Sequence, residues 1–433
     1  MLLLYSHISS PRLQYISNFI FNELFGLEFE ITIDPEAFKS YDGPKINYSD
    51  ARIDENAIWI KNNTLLFEEL IFPQLITCFE WNRLKAFYRS GSGDFPFDVL
   101  AASFYLLTRY EEYLPHENDE YGRFDHKNSL AYKERFLEYP IINIWVKEFS
   151  ELLLNRFPGL TFKFSEFQFI PTYDIDIAYS YKHKGITRNA GGFFRSPSLD
   201  RLKVLSGSKK DPFDSYDWMD KLHAHYKLDP IFFFLVAEKN GRLDKNILPH
   251  KDVMWKLVNR YAKKYEVGLH PSFQSNDDVF TIKRERAQLF AMVGQENIKR
   301  EVTRSRQHYI RFGLPHSFQS LLKAGVTDEY SMGFGTVNGF RASVASSYFW
   351  YDLEKEEQTQ LRIHPFCFMD ANAFYEQQQT PEESFDELMH YYYQCKSVNG
   401  TLISIWHNNF LGTSKQFKGW KEVYERFITQ VQQ

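Results

Sequence analysis

The chain has 433 residues, more than one compact core usually holds, so two domains are expected. A net charge of −5 offers no cationic footprint for a phosphate backbone, which argues against nucleic acid as a partner. Three scattered cysteines, Cys78, Cys367 and Cys395, form neither a disulfide framework nor a thiolate zinc pattern and point to a reducing compartment. Aromatic residues make up 18% of the chain, an excess that suits either a bulky core or a sugar-binding cleft.

The N-terminus, MLLLYSHISS, is apolar for only a few residues and has no basic leader, so it reads as a first strand rather than a signal peptide. No apolar run approaches the ~20 residues that span a bilayer, and the expected location is cytoplasmic. Short apolar strands follow at Leu2 to Tyr5, Leu27 to Ile33 and Ala57 to Ile60, separated by polar turns. Helical spacing over Asp98 to Tyr113 predicts a helix stopped by Pro115, and an acidic polar loop occupies His116 to Asp125. A second amphipathic helix is expected from Pro140 to about Phe157, ended by Pro158-Gly159.

Beyond Gly159 strands and helices alternate. The expected strands are Phe167 to Ile177, Pro230 to Ala237, Tyr265 to Phe273, Leu361 to Asp370 and Thr401 to Asn409. Helices are expected at Tyr216 to Tyr226, Lys251 to Lys264, Ile282 to Met292 and Glu382 to Tyr393, and Lys184 to Pro212 reads as a mobile loop. Strands apolar on both faces, each followed by a helix, predict a parallel sheet, which closed on itself is a (β/α) barrel. The expected partition is a smaller α+β domain over residues 1–160 and an α/β barrel domain over 161–433.

In such a barrel the chemistry sits at the C-terminal ends of strands. Four polar residues end apolar runs there: Asp174 and Asp176 on the first strand, His270 on the third and His407 on the last. The two aspartates, one residue apart, point to the same side of an extended strand, where two like charges need a cation or donors between them. One carboxylate on a divalent metal with the other as general base satisfies that need; an ordinary strand-end turn is the competing explanation. Each histidine alone is more readily a packing residue, and only the joint pattern at one rim argues for a site.

These residues resemble the motifs of a known family. TYDID (Thr172 to Asp176) resembles the first motif of the polysaccharide deacetylases, the NodB-homology or carbohydrate esterase family four enzymes, in which a catalytic aspartate is followed by a metal-binding one. VGLHPSFQ (Val267 to Gln274) resembles the second, GFRAS (Gly339 to Ser343) the arginine motif, and SIWH (Ser404 to His407) the last. The likeness spans roughly Phe167 to the C-terminus. RQHYIRF (Arg306 to Phe312) and TDEYSMGF (Thr327 to Phe334) look like segments of a divergent branch that carries an additional N-terminal domain.

The resemblance implies a distorted parallel (β/α) barrel and a hydrolase that removes N- or O-acetyl groups from a carbohydrate, with an N-acetylated glycan as the expected substrate. It implies Asp174 as base, Asp176 and His270 as ligands of a divalent metal (zinc by preference), Arg341 beside the base and His407 as general acid. Trp350, Tyr348 and Trp406 are the expected sugar-stacking residues. One position departs from the family: its second motif supplies another histidine where this chain has Gln274, and an amide oxygen is a poor zinc ligand. His308 is the preferred substitute, with His316, Asp277 and Asp278 as alternatives, and His364 is expected to be structural. If the substitution fails, the alternative is a non-catalytic carbohydrate-binding or scaffold protein with a decayed site; a hydrolase of another small amide, such as a ureide, is a third reading. The sequence specifies no oligomeric state.

Overall fold

The computed structural model describes residues 1–184, 199–275, 277–294 and 301–432. The first sheet is made by β1 (Leu2–Tyr5), β2 (Phe29–Thr32), β3 (Lys45–Ser49) and β4 (Ile58–Lys61), in the order β2-β1-β3-β4 with every pair parallel. Parallel neighbours need crossovers, and the segments Pro11–Leu24 and Pro35–Ser40 supply two of them as helical turns. Strands and helical turns therefore alternate from β1 to β3, and β4 follows β3 without a helix between them. A small antiparallel hairpin, β5 (Phe79–Trp81) with β6 (Leu84–Ala86), lies apart from that sheet.

The helix expected over Asp98 to Tyr113 runs from Val99 to Leu107, capped by the Asp98 carboxylate on the Ala101 N–H. It stops six residues early because Arg109 takes a left-handed conformation, φ 56°, and a separate turn covers Tyr110–Tyr113. That break swings the Arg109 guanidinium onto Glu111 and Glu112, a tertiary demand that overrides helical periodicity. The second helix runs from Ile141 to Arg156.

The second sheet holds nine strands: β7 (Gln168–Ile175), β8 (Ile231–Leu235), β9 (Glu266–His270), β10 (Arg304–Ser305), β11 (Asp328–Glu329), β12 (Tyr348–Asp352), β13 (Glu357–Ile363), β14 (Phe368–Met369) and β15 (Thr401–His407). Their order is β12-β13-β11-β10-β9-β8-β7-β15-β14, parallel throughout except for the β12–β13 pair. The chain is thus mixed α/β with a parallel-strand sheet. Residues Ile231 to Leu235, IFFFL, are all buried, as expected of a strand covered on both faces.

The strand expected from Leu361 to Asp370 is split in two. Its first half, in β13, pairs with β11, and its second half, β14, pairs with β15, so the two halves serve opposite ends of the sheet. Pro365 lies at the break, where it can donate nothing to a ladder. His364 and Phe366 turn their N–H groups onto Glu329 O and Met332 O instead. The sheet therefore curls around residues 364–367 without one closing strand, a departure from a regular parallel barrel. Of the segment expected to be a loop, Lys184 to Pro212, residues 185–198 lie outside the described residues, and Leu199–Leu205 is a helix.

One continuous hydrophobic core contains residues from both sides of position 160. Tyr15 and Phe104 pack their rings on Tyr351, with centroids 4.8 and 5.4 Å away. Ion pairs cross the same boundary: Arg12 meets the partly exposed Glu356, and the buried Arg341 meets the buried Glu112. Among the described residues no helix is long and apolar enough to cross a membrane.

Candidate metal centre

Register sets the site. Asp174 on β7 lies opposite His407 on β15, and Ile175 lies opposite Phe234 on β8. Leu235, one residue on, is opposite His270 at the end of β9. The C-terminal ends of three strands are thus level, and their terminal polar side chains converge on Asp176, just past β7.

Asp176 Oδ1 is 3.1 Å from His270 Nε2, while Oδ2 is 3.5 Å from both His308 Nε2 and His407 Nε2. Ligand atoms of Asp176, His270 and His308 all lie within 4.8 Å of one another. Asp176 Oδ1 is buried and has no aligned hydrogen-bond donor among the described residues, despite the nearby imidazole. The Asp176 carboxylate and the two imidazoles face a common point, close enough together to share a cation. Two imidazoles and a carboxylate are also a donor set that suits zinc.

The second nitrogen of each ring is held from behind. His270 Nδ1 meets the Arg306 carbonyl, His308 Nδ1 lies 2.8 Å from Asp244 Oδ1, and His407 Nδ1 lies 2.6 Å from Asp370 Oδ1. Such contacts fix the ring and leave Nε2 facing the site. Asp370 also accepts the His407 N–H at 2.7 Å, so the carboxylate grips both backbone and ring. Gln274, at the position where the resembled family has a histidine, is exposed and turns its amide toward Asp244 Oδ2 at 3.4 Å. It thus lies against the same carboxylate that contacts His308 Nδ1.

Asp174 is almost fully buried. Its Oδ1 accepts from Arg306 Nη1 at 2.9 Å, and its Oδ2 lies 3.9 Å from His270 Nε2. Arg306 is in turn fixed by the Tyr330 carbonyl and by Thr172 Oγ1. The side chains of Asp174 and His270 are each 2% exposed, against 12% for His407 and 25% for Asp176, so the centre opens to solvent on the Asp176–His407 side.

Electrostatics follows the geometry. Burial pushes the Asp176 carboxyl up, but His308, His407 and His270 outweigh it and hold it well below the usual range. Burial lowers His308, yet Asp176 and Asp244 raise it to about 9. Burial likewise lowers His407, and Asp370, Asp176 and Asp174 raise it to about 10. His407 therefore favours its protonated form at neutral pH.

Four residues expected at the site lie elsewhere. Arg341 is not beside Asp174: its Nη2 and Nε bind Glu112 at 2.6 and 2.9 Å, and its Nη1 binds the Gly333 carbonyl. The guanidinium on Asp174 belongs to Arg306. Tyr348, Trp350 and Trp406 are at most 1% exposed and offer no face to a sugar. Trp350 packs on Phe318, Tyr348 on Phe19, and Trp406 on Tyr424 and Trp420. Strand-borne aromatics of this kind point into the core as readily as toward a rim.

The alternative ligands are likewise elsewhere. His316 is exposed at a helix start, Asp277 accepts from Ser317, and Asp278 caps its own helix through the Phe280 N–H. His364 is structural, with Nε2 on Asp328 at 2.9 Å and its ring stacked on Tyr330. Half-buried aromatics do flank the centre: Tyr309 lies beside His308 with ring centroids 4.7 Å apart, and Tyr121 and Phe273 pack on Tyr309.

Sequence reasoning missed Arg306, Asp244 and Asp370. Asp370 was within reach, since it ends an apolar strand just as Asp174, His270 and His407 do. Arg306 follows a two-residue strand and Asp244 sits in a polar loop, and neither position carries a pattern.

Comparison with known proteins places these residues among distant likenesses. Residues 2–158 match the model of a family of unknown function, DUF7033. No curated protein matches. The chain is similar to a solved structure described as a polysaccharide deacetylase from Mycobacterium smegmatis, with 11% identity over 63% of this chain and 86% of that one and a TM-score of 0.41. It is similar to another so described from Pseudomonas aeruginosa PAO1, with 12% identity, 62% and 85% coverage and a TM-score of 0.37. A third is a mutant of BA3943, a CE4 family pseudoenzyme with restored enzymatic activity, with 8% identity, 62% and 64% coverage and a TM-score of 0.28. The chemistry of this chain is accordingly argued from its own side chains.

Proposed function

We propose that this protein is a metal-dependent hydrolase that removes acetyl groups, on nitrogen or oxygen, from a carbohydrate. The observation that carries the reading is the cluster of Asp176, His270 and His308, whose ligand atoms lie within 4.8 Å of one another, with a second carboxylate, Asp174, beside them. Asp176, His270 and His308 would hold the ion, with zinc favoured by the donor set. A bound divalent cation lowers the pKa of water from about 15.7 toward about 7 and polarises an acyl carbonyl.

The chain's own groups supply the rest. Asp174, oriented by Arg306 on Oδ1, takes the proton of the attacking water. His407, with Nδ1 on Asp370, is the group placed to deliver a proton from Nε2 to the leaving amine or alkoxide as the acyl bond breaks. Acetate leaves, and each proton has a named carrier. The decayed-site alternative rests on Gln274; His308 beside Asp176 and His270 supports the catalytic reading over it.

Metal analysis of the purified protein tests the reading. About one divalent ion per chain is expected, lost in Asp176→Ala; a wild-type protein that holds no metal, or an Asp176→Ala variant that holds as much, would refute it. Substrate binding is assigned to the half-buried aromatics beside His308, namely Tyr309, Tyr121 and Phe273. Tyr121→Ala is expected to raise KM for an acetylated oligosaccharide about 2- to 10-fold with kcat unchanged, the range set by one stacking contact. Trp406→Phe, by contrast, should leave KM alone because Trp406 is 0% exposed.

A further inference from the structure

The turn that presents His308 is strained. Tyr309 (φ 62°, ψ 14°) and Ile310 (φ 53°) both occupy the left-handed region, which β-branched and bulky residues rarely enter. Such a backbone conformation persists only where the surroundings over-determine it. What holds this turn comes from 186 positions earlier in the chain. Arg123 Nη1 donates to the Tyr309 carbonyl at 2.8 Å and to the Gly335 carbonyl at 3.3 Å.

Arg123 is itself set in place by a local device. The Asp119 carboxylate accepts the backbone N–H groups of Tyr121 and Arg123 at 2.9 and 3.0 Å and Arg123 Nε at 2.6 Å. Gly122, at φ 76°, lets the chain turn tightly between them. The Arg123 residue is 4% exposed, so its cation is committed to these partners rather than to solvent. From the opposite side, a Cβ at position 335 would overlap Arg123 Nη1 and lie 3.0 Å from the Tyr309 carbonyl oxygen. Glycine at 335 thus leaves the space that the guanidinium fills.

We infer that Arg123 is a positioning residue of the metal centre, and that the region spanning residues 2–158 contributes it by clamping the left-handed turn that aims His308. The inference rests on the metal-centre reading above for its functional consequence, but the clamp itself does not. Contacts behind a metal ligand are typically worth about 10- to 100-fold in affinity, and Arg123 acts one residue along the backbone from such a ligand.

The test uses the full-length protein stripped of metal. Co2+ is titrated by visible absorption against a chelator, and amide hydrogen exchange across residues 305–312 is followed in the metal-free protein. Arg123→Ala is expected to weaken Co2+ by at least about 10-fold and to speed exchange in that segment. Arg123→Lys, which keeps the charge and one donor, should recover part of both. Gly335→Ala should reproduce the loss from the other side, and the double variant should add little to either single one.

Unchanged Co2+ affinity in Arg123→Ala overturns the inference, even if the exchange rate rises, because the clamp would then be structural only. Wild-type protein that binds no Co2+ would sink the metal-centre reading; the exchange data would then still decide whether Arg123 holds the turn, and unchanged exchange would overturn that too.

Discussion

Asp174→Asn is expected to bind metal as the wild type does and to lose turnover by about 100- to 10,000-fold. The asparagine carbonyl can still accept from Arg306 Nη1, which lies 2.9 Å from Oδ1 in the native site, so the framework stays in place. What disappears is an anion able to take a proton. His270→Ala and His308→Ala should behave differently and lose the metal together with activity, since each removes one of the three donors that lie within 4.8 Å of one another. Metal content and acetate release from an acetylated oligosaccharide, measured on the same preparations, separate the two classes. An Asp174→Asn protein that releases acetate at the wild-type rate would remove Asp174 from the base role. Loss of metal in that variant would make Asp174 a ligand instead.

The rim was legible because it breaks a strong local pattern. Asp174, His270 and His407 terminate apolar strands, and parallel register then brings such ends level, so periodicity alone could nominate them. His308 was reached by a different route: the missing imidazole at Gln274 required a donor from elsewhere. The supporting shell was not legible, because its members are fixed by contacts that no local period records. Arg306 reaches Asp174 across 132 positions and Asp244 reaches His308 across 64. Arg341 shows the converse limit. A short motif placed it beside the base, yet a guanidinium goes to the nearest buried carboxylate, and that carboxylate is Glu112. The aromatics erred in the same way, since burial depth is a tertiary property that strand alternation gives only in part.

Glu112 is where the largest loss of stability is expected. Its side chain is 1% exposed and sits between Arg109 and Arg341, both equally buried. Removing one partner from a buried ion pair typically costs about 3–5 kcal/mol because a charge is left uncompensated. Glu112→Gln should approach that range. Arg109 would keep Glu111 at 2.7 Å, but Arg341 would face no anion and would keep only neutral acceptors, the glutamine carbonyl and that of Gly333. Arg341→Met should cost less, since Glu112 would retain Arg109 and an apolar side chain of similar length would fill the space beside Phe312 and Phe334.

The same carboxylate gives the effect a pH signature. Burial pushes the Glu112 carboxyl up, but Arg341 and Arg109 outweigh that and hold it at about 2. Because the folded value lies below the unfolded one, near about 4.3 for glutamate, the contribution is whole above that unfolded value and is lost as pH falls toward 2. Wild-type protein should therefore lose its advantage over Glu112→Gln progressively from about pH 5 toward pH 2, with only part of it gone at pH 3. Urea midpoints of both proteins at pH 7, 5 and 3 measure this directly. A gap that stays constant across the three values would mean that the triad is not ionised as its geometry requires. Metal content per folded chain should be the same in both proteins at pH 7, since Glu112 contacts none of Asp176, His270 or His308.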